Sequence, residues 1–118
     1  MSLDGRIMDL VVTEYSHCKL IKISGRIDSY TAPRIKEALN SMIDDGQHNI
    51  IVDLQNVQYL SSSGILTFVD TQRQLKRQNT GELVFLNVPE LVLLNFEIAG
   101  FDTIFDFYND TAAALGRF

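Results

Sequence analysis

Apolar residues along the chain recur with two different periods, and each change of period marks a boundary between a strand and a helix. Short, apolar, β-rich runs predict five strands, and only Ser16-His17 separates the first two, as in a hairpin. The runs that predict strands are 7–15, 18–23, 50–54, 83–86 and 104–108. Residues 24–28 are predicted to form a turn in which Gly25 adopts a positive φ.

Amphipathic stretches predict four helices between and after these strands. They begin near Ser29 or Thr31, at Ser62, at Pro89 and at Thr111. The first has the clearest apolar stripe, which consists of Ile35, Ala38, Leu39, Met42 and Ile43. In the second helix the inward positions are expected to be Ile65, Leu66, Phe68, Val69 and Leu75. Gln72 interrupts this second stripe.

The third helix carries more apolar residues than one buried face needs. Its core side is expected to consist of Leu91, Leu94, Ile98 and Ala99. A helix with that core side points Leu93 and Phe96 outward. These two residues are predicted to form a second contact patch, which a homodimer or a larger assembly could use. The alternative is a helix that lies between the sheet and a neighbouring helix.

The predicted element order is ββαβαβαβα, and residues 1–118 are predicted to be a single domain without a linker. Strands separated by helices usually pair in parallel through right-handed crossovers. The order therefore predicts the α/β class, with helices packed on a small sheet that is mostly parallel or mixed. The place of the first hairpin in that sheet stays open. Residues 1–5 are interpreted as an N-terminus that is disordered or derives from cloning.

The formal net charge of −5 and the scattered basic residues argue against nucleic acid as a partner. No apolar run approaches the roughly 18 residues of a membrane helix, and charged residues interrupt the N-terminal stretch. Cys18 is the single cysteine, so no internal disulfide is expected. We expect a cytoplasmic protein that has no membrane partner.

Groups that commonly support catalysis are missing from the expected places. A serine nucleophile needs a base, and both histidines, His17 and His48, lie in turns that precede strands. The chain has no Gly-x-Ser-x-Gly elbow and no glycine-rich phosphate loop. Asp44 and Asp45, near His48, are interpreted as solvated charges at a helix end. The sequence therefore predicts no catalytic residue, no metal and no cofactor, and a serine hydrolase is only a remote alternative.

The most informative stretch runs from the buried strand at 50–54 through a triple serine into the second helix. In α/β proteins, ligands, phosphates and partners commonly meet the fold at such a strand–loop–helix junction. One hydroxyl, of Ser61 or Ser62, is enough to cap the helix. No Glu or Gln follows to form a capping box, so at least one hydroxyl is free for another purpose. Capping and function both stay open on this evidence.

One segment resembles the signature of STAS domains, the sulfate transporter and anti-sigma-factor antagonist fold. It reads Asp53-Leu54-Gln55-Asn56-Val57-Gln58-Tyr59-Leu60-Ser61-Ser62-Ser63-Gly64-Ile65. The family pattern is Asp-Leu-x-x-Val-x-Tyr/Phe-hydrophobic-Asp/Ser-Ser-Ser/Ala-Gly-hydrophobic. The segments 25–28, 81–85 and 99–101 are similar to a turn, a later strand and a helix end of the family. The resemblance covers nearly the whole chain and implies a single STAS-type domain.

A stand-alone STAS domain resembles a bacterial anti-sigma-factor antagonist, a non-enzymatic protein that changes partners according to its phosphorylation. The resemblance implies that an anti-sigma factor with serine kinase activity binds the unphosphorylated form and is released on phosphorylation. It also implies that a PP2C-type phosphatase removes the phosphate. Aligned on Gly64, the phosphorylated residue is Ser62, and Ser63 is the second candidate. Ser61 stands where many members have Asp.

The partner-binding surface is expected to consist of Ser61, Ser62, Ser63, Gly64 and Asp28. Asp28 follows a strand, and the α/β order could bring it to the same sheet edge as the serines. Its other interpretation is an acceptor within a turn. Asp53 is expected to bond loop amides and hold the serine turn. A competing hypothesis makes the chain a STAS scaffold subunit of a signalling assembly or lipid-transport complex, docked through the third helix, without a phosphorylation switch.

Overall fold

A five-stranded mixed sheet lies at the centre of the computed structural model, which describes residues 8–118. Residues 1–5, and their interpretation, fall outside that range. The strands, in spatial as well as chain order, are β1 (Met8–Glu14), β2 (Lys19–Ile27), β3 (Asn49–Leu60), β4 (Glu82–Leu86) and β5 (Phe107–Tyr108). The helices are α1 (Ala32–Asp44), α2 (Ser62–Gln78), α3 (Glu90–Ala99) and α4 (Thr111–Gly116). The predicted element order and α/β class are confirmed.

The first hairpin forms one edge of the sheet, because β1 pairs antiparallel with β2 and the other neighbours pair in parallel. The helices α1, α2 and α3 supply buried side chains to the main core on one face of the sheet. Phe85 of β4 lies at its centre, with ring centroids 5.2 Å from Phe68 and 5.0 Å from Phe96. A smaller cluster on the opposite face packs against Ala114 of α4 and includes Cys18.

Two strands extend beyond their predicted ends because they continue to pair with each other. β2 continues through most of the predicted turn at 24–28, and β3 continues past Leu54 to Leu60. At each of two register shifts β3 contains one more residue than β2, as in a β-bulge. Gly25 lies beside one of these shifts with φ of 97°, so its predicted positive φ is confirmed, but inside a strand.

The prediction of a strand over 104–108 is wrong for its first half. Residues Asp102–Ile104 form a 3₁₀ turn, and only Phe107–Tyr108 pair with β4. Phe105 lies between them and is buried, with its ring 4.8 Å from the ring of Phe85. A short apolar run cannot distinguish a strand from a turn whose side chain enters the core.

Two positions of α2 differ from the simple stripe. Leu66, predicted to face inward, is 46% exposed. Gln72, which interrupts the stripe, is buried and bonded at both ends of its amide. Its Oε1 accepts a hydrogen bond from the Leu83 amide at 2.8 Å, and its Nε2 donates to the Ile104 carbonyl at 3.1 Å. Gln72 therefore connects α2 to β4 and to the 3₁₀ turn.

Replacing Gln72 by Leu is expected to lower the free energy of unfolding by about 1–3 kcal/mol, because the buried Leu83 amide loses its acceptor. Gln78→Leu, at the exposed end of the same helix, is the control and should change it by less than about 0.5 kcal/mol. Urea unfolding followed by circular dichroism measures both. Equal effects of the two substitutions would show that the Gln72 bonds contribute nothing.

Candidate functional site

The triple serine forms the junction between β3 and α2, and its first residue is the helix cap. Ser61 has extended backbone angles, and its Oγ accepts a hydrogen bond from the Gly64 amide at 3.2 Å. Its own amide donates to the Ile27 carbonyl of β2 at 2.9 Å. The capping role is confirmed for Ser61, and the cap is attached to the neighbouring strand as well as to its helix.

Gly64 allows the first turn of α2 to lie directly on the ends of two strands. A β-carbon at this position would lie 2.6 Å from Ile27 Cγ2 and 2.6 Å from Leu60 Cδ1, well inside van der Waals contact. Ile27 and Leu60 are opposite each other in the β2–β3 register, and both are buried. Gly64 is buried as well, so its expected place in a partner surface is corrected. Its role is to position the serines.

Ser62 and Ser63 are exposed, and neither side chain caps the helix. Their amides have no hydrogen-bond acceptor within residues 8–118, as is usual for the first turn of a helix. The first turn of α2 also contains no acidic residue. Free amides and the positive end of the helix dipole therefore favour an anion at this place.

The two exposed serines face different grooves. Ser62 lies in a groove of about 270 Å³ between the end of β3 and α3. The other residues of this groove are Tyr59, Leu60, Ser61, Ile65, Asn95, Ile98 and Ala99. Ser63 lies in a second groove of about 270 Å³, shared with the start of α1 and with Lys36. A group attached to Ser62 therefore enters a different environment from one attached to Ser63.

Asp28 lies at the same sheet edge, directly after the strand residue that bonds Ser61. Its Oδ1 accepts hydrogen bonds from the amides of Tyr30 at 2.9 Å and Thr31 at 3.2 Å, and its Oδ2 accepts one from Arg26 Nε at 3.0 Å. Desolvation acts to raise the pKa of Asp28, but bonds from the Tyr30 amide, Arg26 and the Thr31 amide together lower it. The turn-acceptor interpretation is confirmed.

The chain also resembles known sequences. The sequence pattern of the STAS domain matches residues 9–114. This chain belongs to the STAS family. An anti-sigma-B factor antagonist of Staphylococcus aureus is 41% identical over 80 residues, which cover 68% of this chain and 73% of the relative. The protein of the same name in Staphylococcus epidermidis is 39% identical over the same shares of the two chains.

Solved structures show the same fold as this STAS protein. An anti-sigma factor antagonist from Mycobacterium paratuberculosis superposes with a TM-score of 0.82 at 24% identity, over 93% of this chain and 92% of its own. The anti-sigma factor antagonist SpoIIAA in its unphosphorylated form gives a TM-score of 0.78 at 17% identity, over 92% and 95%. At these identities the likeness establishes the fold.

Asp53, the first residue of the STAS signature, does not hold the serine turn. It lies in the middle of β3, opposite Lys22 and Leu86 in the register, and is 7% exposed. Its Oδ1 accepts a hydrogen bond from the Gln55 amide at 2.9 Å. The expectation is therefore corrected: Asp53 stabilises the irregular segment where β3 leaves β4 and continues beside β2 alone.

The histidines of this STAS protein lie at the opposite end of the sheet from Ser62. His17 precedes β2, and His48 precedes β3 with its Nε2 3.1 Å from the Ile43 carbonyl oxygen. Since β3 has 12 residues, its two ends are roughly 35 Å apart, and neither ring reaches Ser62.

Residues 8–118 contain no group of three potential metal ligands among His, Cys, Asp and Glu. No helix in that range is long and apolar enough to cross a membrane.

The predicted orientation of α3 is inverted. Phe96 is fully buried in the aromatic core and Leu93 is half-buried, so they do not form an exposed contact patch. The large exposed apolar residues of α3 are Leu91, Leu94 and Ile98, which we call the α3 stripe. Both faces of this helix are apolar, so the wheel alone could not decide which face enters the core. Packing of Phe96 against Phe85 decides it.

Sequence reasoning missed three residues that shape the site. Tyr59 and Asn95 line the Ser62 groove, and Asn95 Nδ2 donates to the Leu60 carbonyl at 3.0 Å, which joins α3 to the end of β3. Arg26 lies over the Tyr59 ring, with Cζ 4.0 Å from the ring centroid. The single asparagine in the apolar α3 was the available signal for Asn95. Arg26 and Tyr59 belong to strand ends that the apolar pattern placed in turns.

Gly64→Ala is expected to lower the free energy of unfolding by about 1–3 kcal/mol, because its methyl group overlaps Ile27 and Leu60. Gly116→Ala in α4 is the matched control, since a β-carbon there has no neighbour within 4 Å. The control should be neutral or slightly stabilising, by up to about 1 kcal/mol. Urea unfolding measures both, and a neutral Gly64→Ala would contradict the close approach of α2 to the strands.

Proposed function

We propose that this STAS protein is an anti-sigma-factor antagonist whose hold on its partner ends when Ser62 is phosphorylated. The observation that carries the proposal is an exposed serine that caps nothing, at a helix start with free amides and beside a groove. Relatives named anti-sigma-B factor antagonists support the kind of partner. The protein acts by binding, without catalysis of its own.

A phosphoryl group on Ser62 changes the surface more than the fold. It adds about 1.5 to 2 negative charges at the positive end of the α2 dipole, next to the free amides of Ser62 and Ser63. Ser61 keeps its capping bond and Gly64 keeps its packing, so the helix start stays intact. A partner seated in the groove then meets bulk and desolvated charge, which can cost several kcal/mol.

The chemistry of the switch comes from two other enzymes. The anti-sigma factor acts as a serine kinase: Ser62 Oγ attacks the γ-phosphorus of ATP, the bond to the bridging oxygen breaks, and ADP leaves. The hydroxyl proton passes to a base of the kinase, since neither histidine of this chain reaches Ser62. A PP2C-type phosphatase hydrolyses the phosphoserine and restores the binding form.

The docking surface combines the serine groove with the α3 stripe. Ile98 belongs to both, so the groove continues into an apolar helix face. Leu91 and Ile98 are 78% and 76% exposed. Apolar residues exposed together on one helix face are typical of an interaction surface, whereas single exposed ones are not. The exposed Ser62 and the half-buried Ser61 and Asp28 contribute the polar rim. Ser63 is the second candidate for phosphorylation and faces the groove of Lys36.

The exposed α3 stripe also favours a second candidate function. An apolar helix face can dock a STAS domain into a signalling assembly or a lipid-transport complex, or pair two copies as a homodimer, without any phosphorylation. In that case the state of Ser62 has no influence on association. A serine hydrolase is the third and remote candidate, and labelling of Ser62 by a fluorophosphonate probe would support it.

Co-purification from the native cell followed by intact-mass measurement tests the switch. The anti-sigma factor is expected to co-purify with the unphosphorylated chain, and incubation with ATP should add roughly 80 Da, the mass of one phosphoryl group. Ser62→Ala should abolish this addition, whereas Ser63→Ala, its neighbour in the same turn, should retain it. Addition of the mass to Ser62→Ala but not to Ser63→Ala would move the site to Ser63.

Ser62→Asp should weaken binding of the purified anti-sigma factor by at least about tenfold, because it places negative charge in the groove. Ser63→Asp is the control and should have a smaller effect, since Ser63 faces the other groove. Isothermal titration calorimetry measures both. Unchanged affinity in both Ser62→Asp and Ser62→Ala would leave the scaffold function as the better explanation.

Ile98→Glu should weaken the same complex by at least about tenfold, since it puts a charge where apolar surface is buried. Val11→Glu is the matched control: Val11 is 61% exposed on β1, at the far edge of the sheet. Both variants should unfold at the same urea concentration as the wild type. Equal losses of affinity would show that the α3 stripe is not part of the docking surface.

A further inference from the structure

A second cluster of side chains lies next to the serine groove and is not needed for phosphorylation. Arg26 and Tyr59 face each other across the β2–β3 register, and the Arg26 Cζ is 4.0 Å from the centroid of the Tyr59 ring. The same guanidinium donates from Nε to Asp28 Oδ2 at 3.0 Å. Asp28 is itself held by two amides of the turn before α1. Arg26 is therefore held from two directions.

The contacts of Arg26 leave its outer nitrogen atoms available. Its side chain is 54% exposed and forms an ion pair with Asp28 through Nε, and within residues 8–118 neither Nη1 nor Nη2 donates a hydrogen bond. A planar guanidinium matches the two oxygens of a carboxylate in a bidentate pair. Because the ring and Asp28 already order the side chain, less rotamer freedom is lost when an acceptor arrives.

The position of Arg26 connects it to the docking surface. Tyr59, on which it lies, is a wall of the groove that contains Ser62. Tyr30, in the turn held by Asp28, is 89% exposed. Arginine and tyrosine, together with tryptophan, are enriched among the residues that carry most of the binding energy in protein interfaces. Although the charge of Arg26 is paired with Asp28, its outer nitrogen atoms still offer hydrogen-bond donors to an anionic group at this place.

We propose that Arg26, held on Tyr59, is a specificity-determining residue of the docking surface and binds a carboxylate of the anti-sigma factor. The proposal rests on the proposed function and names the chemistry that the partner must present there. An anti-sigma factor with an Asp or Glu opposite Arg26 is accepted, and one with a basic residue is rejected. Tyr59 and Asp28 position the guanidinium.

Arg26→Ala should weaken the unphosphorylated complex with the purified anti-sigma factor by about tenfold, and Arg26→Lys should recover only part of it. Arg73→Ala is the matched control. Arg73 also lies over an aromatic ring, 6.0 Å from the centroid of Phe101, but roughly 16 Å further along α2 than Ser62. Calorimetry at two salt concentrations measures the affinities, and the wild type should lose more affinity with salt than Arg26→Ala. Equal losses for Arg26→Ala and Arg73→Ala would overturn the proposal.

A measurement without the partner separates this proposal from the phosphorylation switch. The guanidinium ¹⁵N resonances are recorded during titration with acetate, and those of Arg26 should shift more than those of Arg73. Equal shifts would overturn the carboxylate site and leave the Ser62 switch untouched. If the wild type does not bind the anti-sigma factor, the proposed function fails and the acetate titration still decides for Arg26.

Protein carrying phosphoserine at position 62 distinguishes the two possible sources of an oxyanion. If the phosphoserine itself moves the Arg26 resonances and removes their response to acetate, the guanidinium binds the chain's own phosphoryl group, which overturns the assignment to a partner carboxylate. If the response to acetate is retained, the assignment to the partner is supported.

Discussion

The site depends on one close contact, the approach of the α2 start to the ends of β2 and β3. Gly64 has no side chain, so the first turn lies against Ile27 and Leu60, and the Ser61 amide reaches the Ile27 carbonyl. A larger residue would push the helix away from the strands. The orientation of the serines, the groove beside them and the accessibility of the first-turn amides all follow from this contact.

The three serines differ in their roles because of this contact. Ser61 satisfies the Gly64 amide, which leaves the hydroxyl of Ser62 unused and exposed. Because the capping bond and the proposed modification belong to different residues, the proposed phosphate does not compete with the bond that begins the helix. The fold can stay constant while the charge of its surface changes, which is what control of a binding partner by phosphorylation requires.

Element types were predictable from the sequence, whereas ends and orientations were less so. Periodicity located α1 and the buried part of β3, because α1 has a single apolar stripe and the start of β3 is a short apolar run. It ended β2 and β3 too early, since their last residues are stabilised by pairing with each other across two bulges. It predicted the wrong orientation of α3, because both faces of that helix are apolar and only the aromatic core around Phe85 distinguishes them. The contact between Arg26 and Tyr59 was not predicted, because it joins residues that are far apart in the chain.

The sequence by itself determined the α/β class, the element order and the family signature from which Ser62 is proposed as the phosphorylation site. Both periodicity and a contiguous motif depend only on residues that are neighbours in the chain. Tertiary structure decided which serine caps the helix, that Gly64 is buried, and that Ile98 rather than Phe96 faces solvent. It also brought Tyr59, Asn95 and Ser62 to one groove. These outcomes depend on distances between segments that are separate in the chain, and no local pattern contains that information.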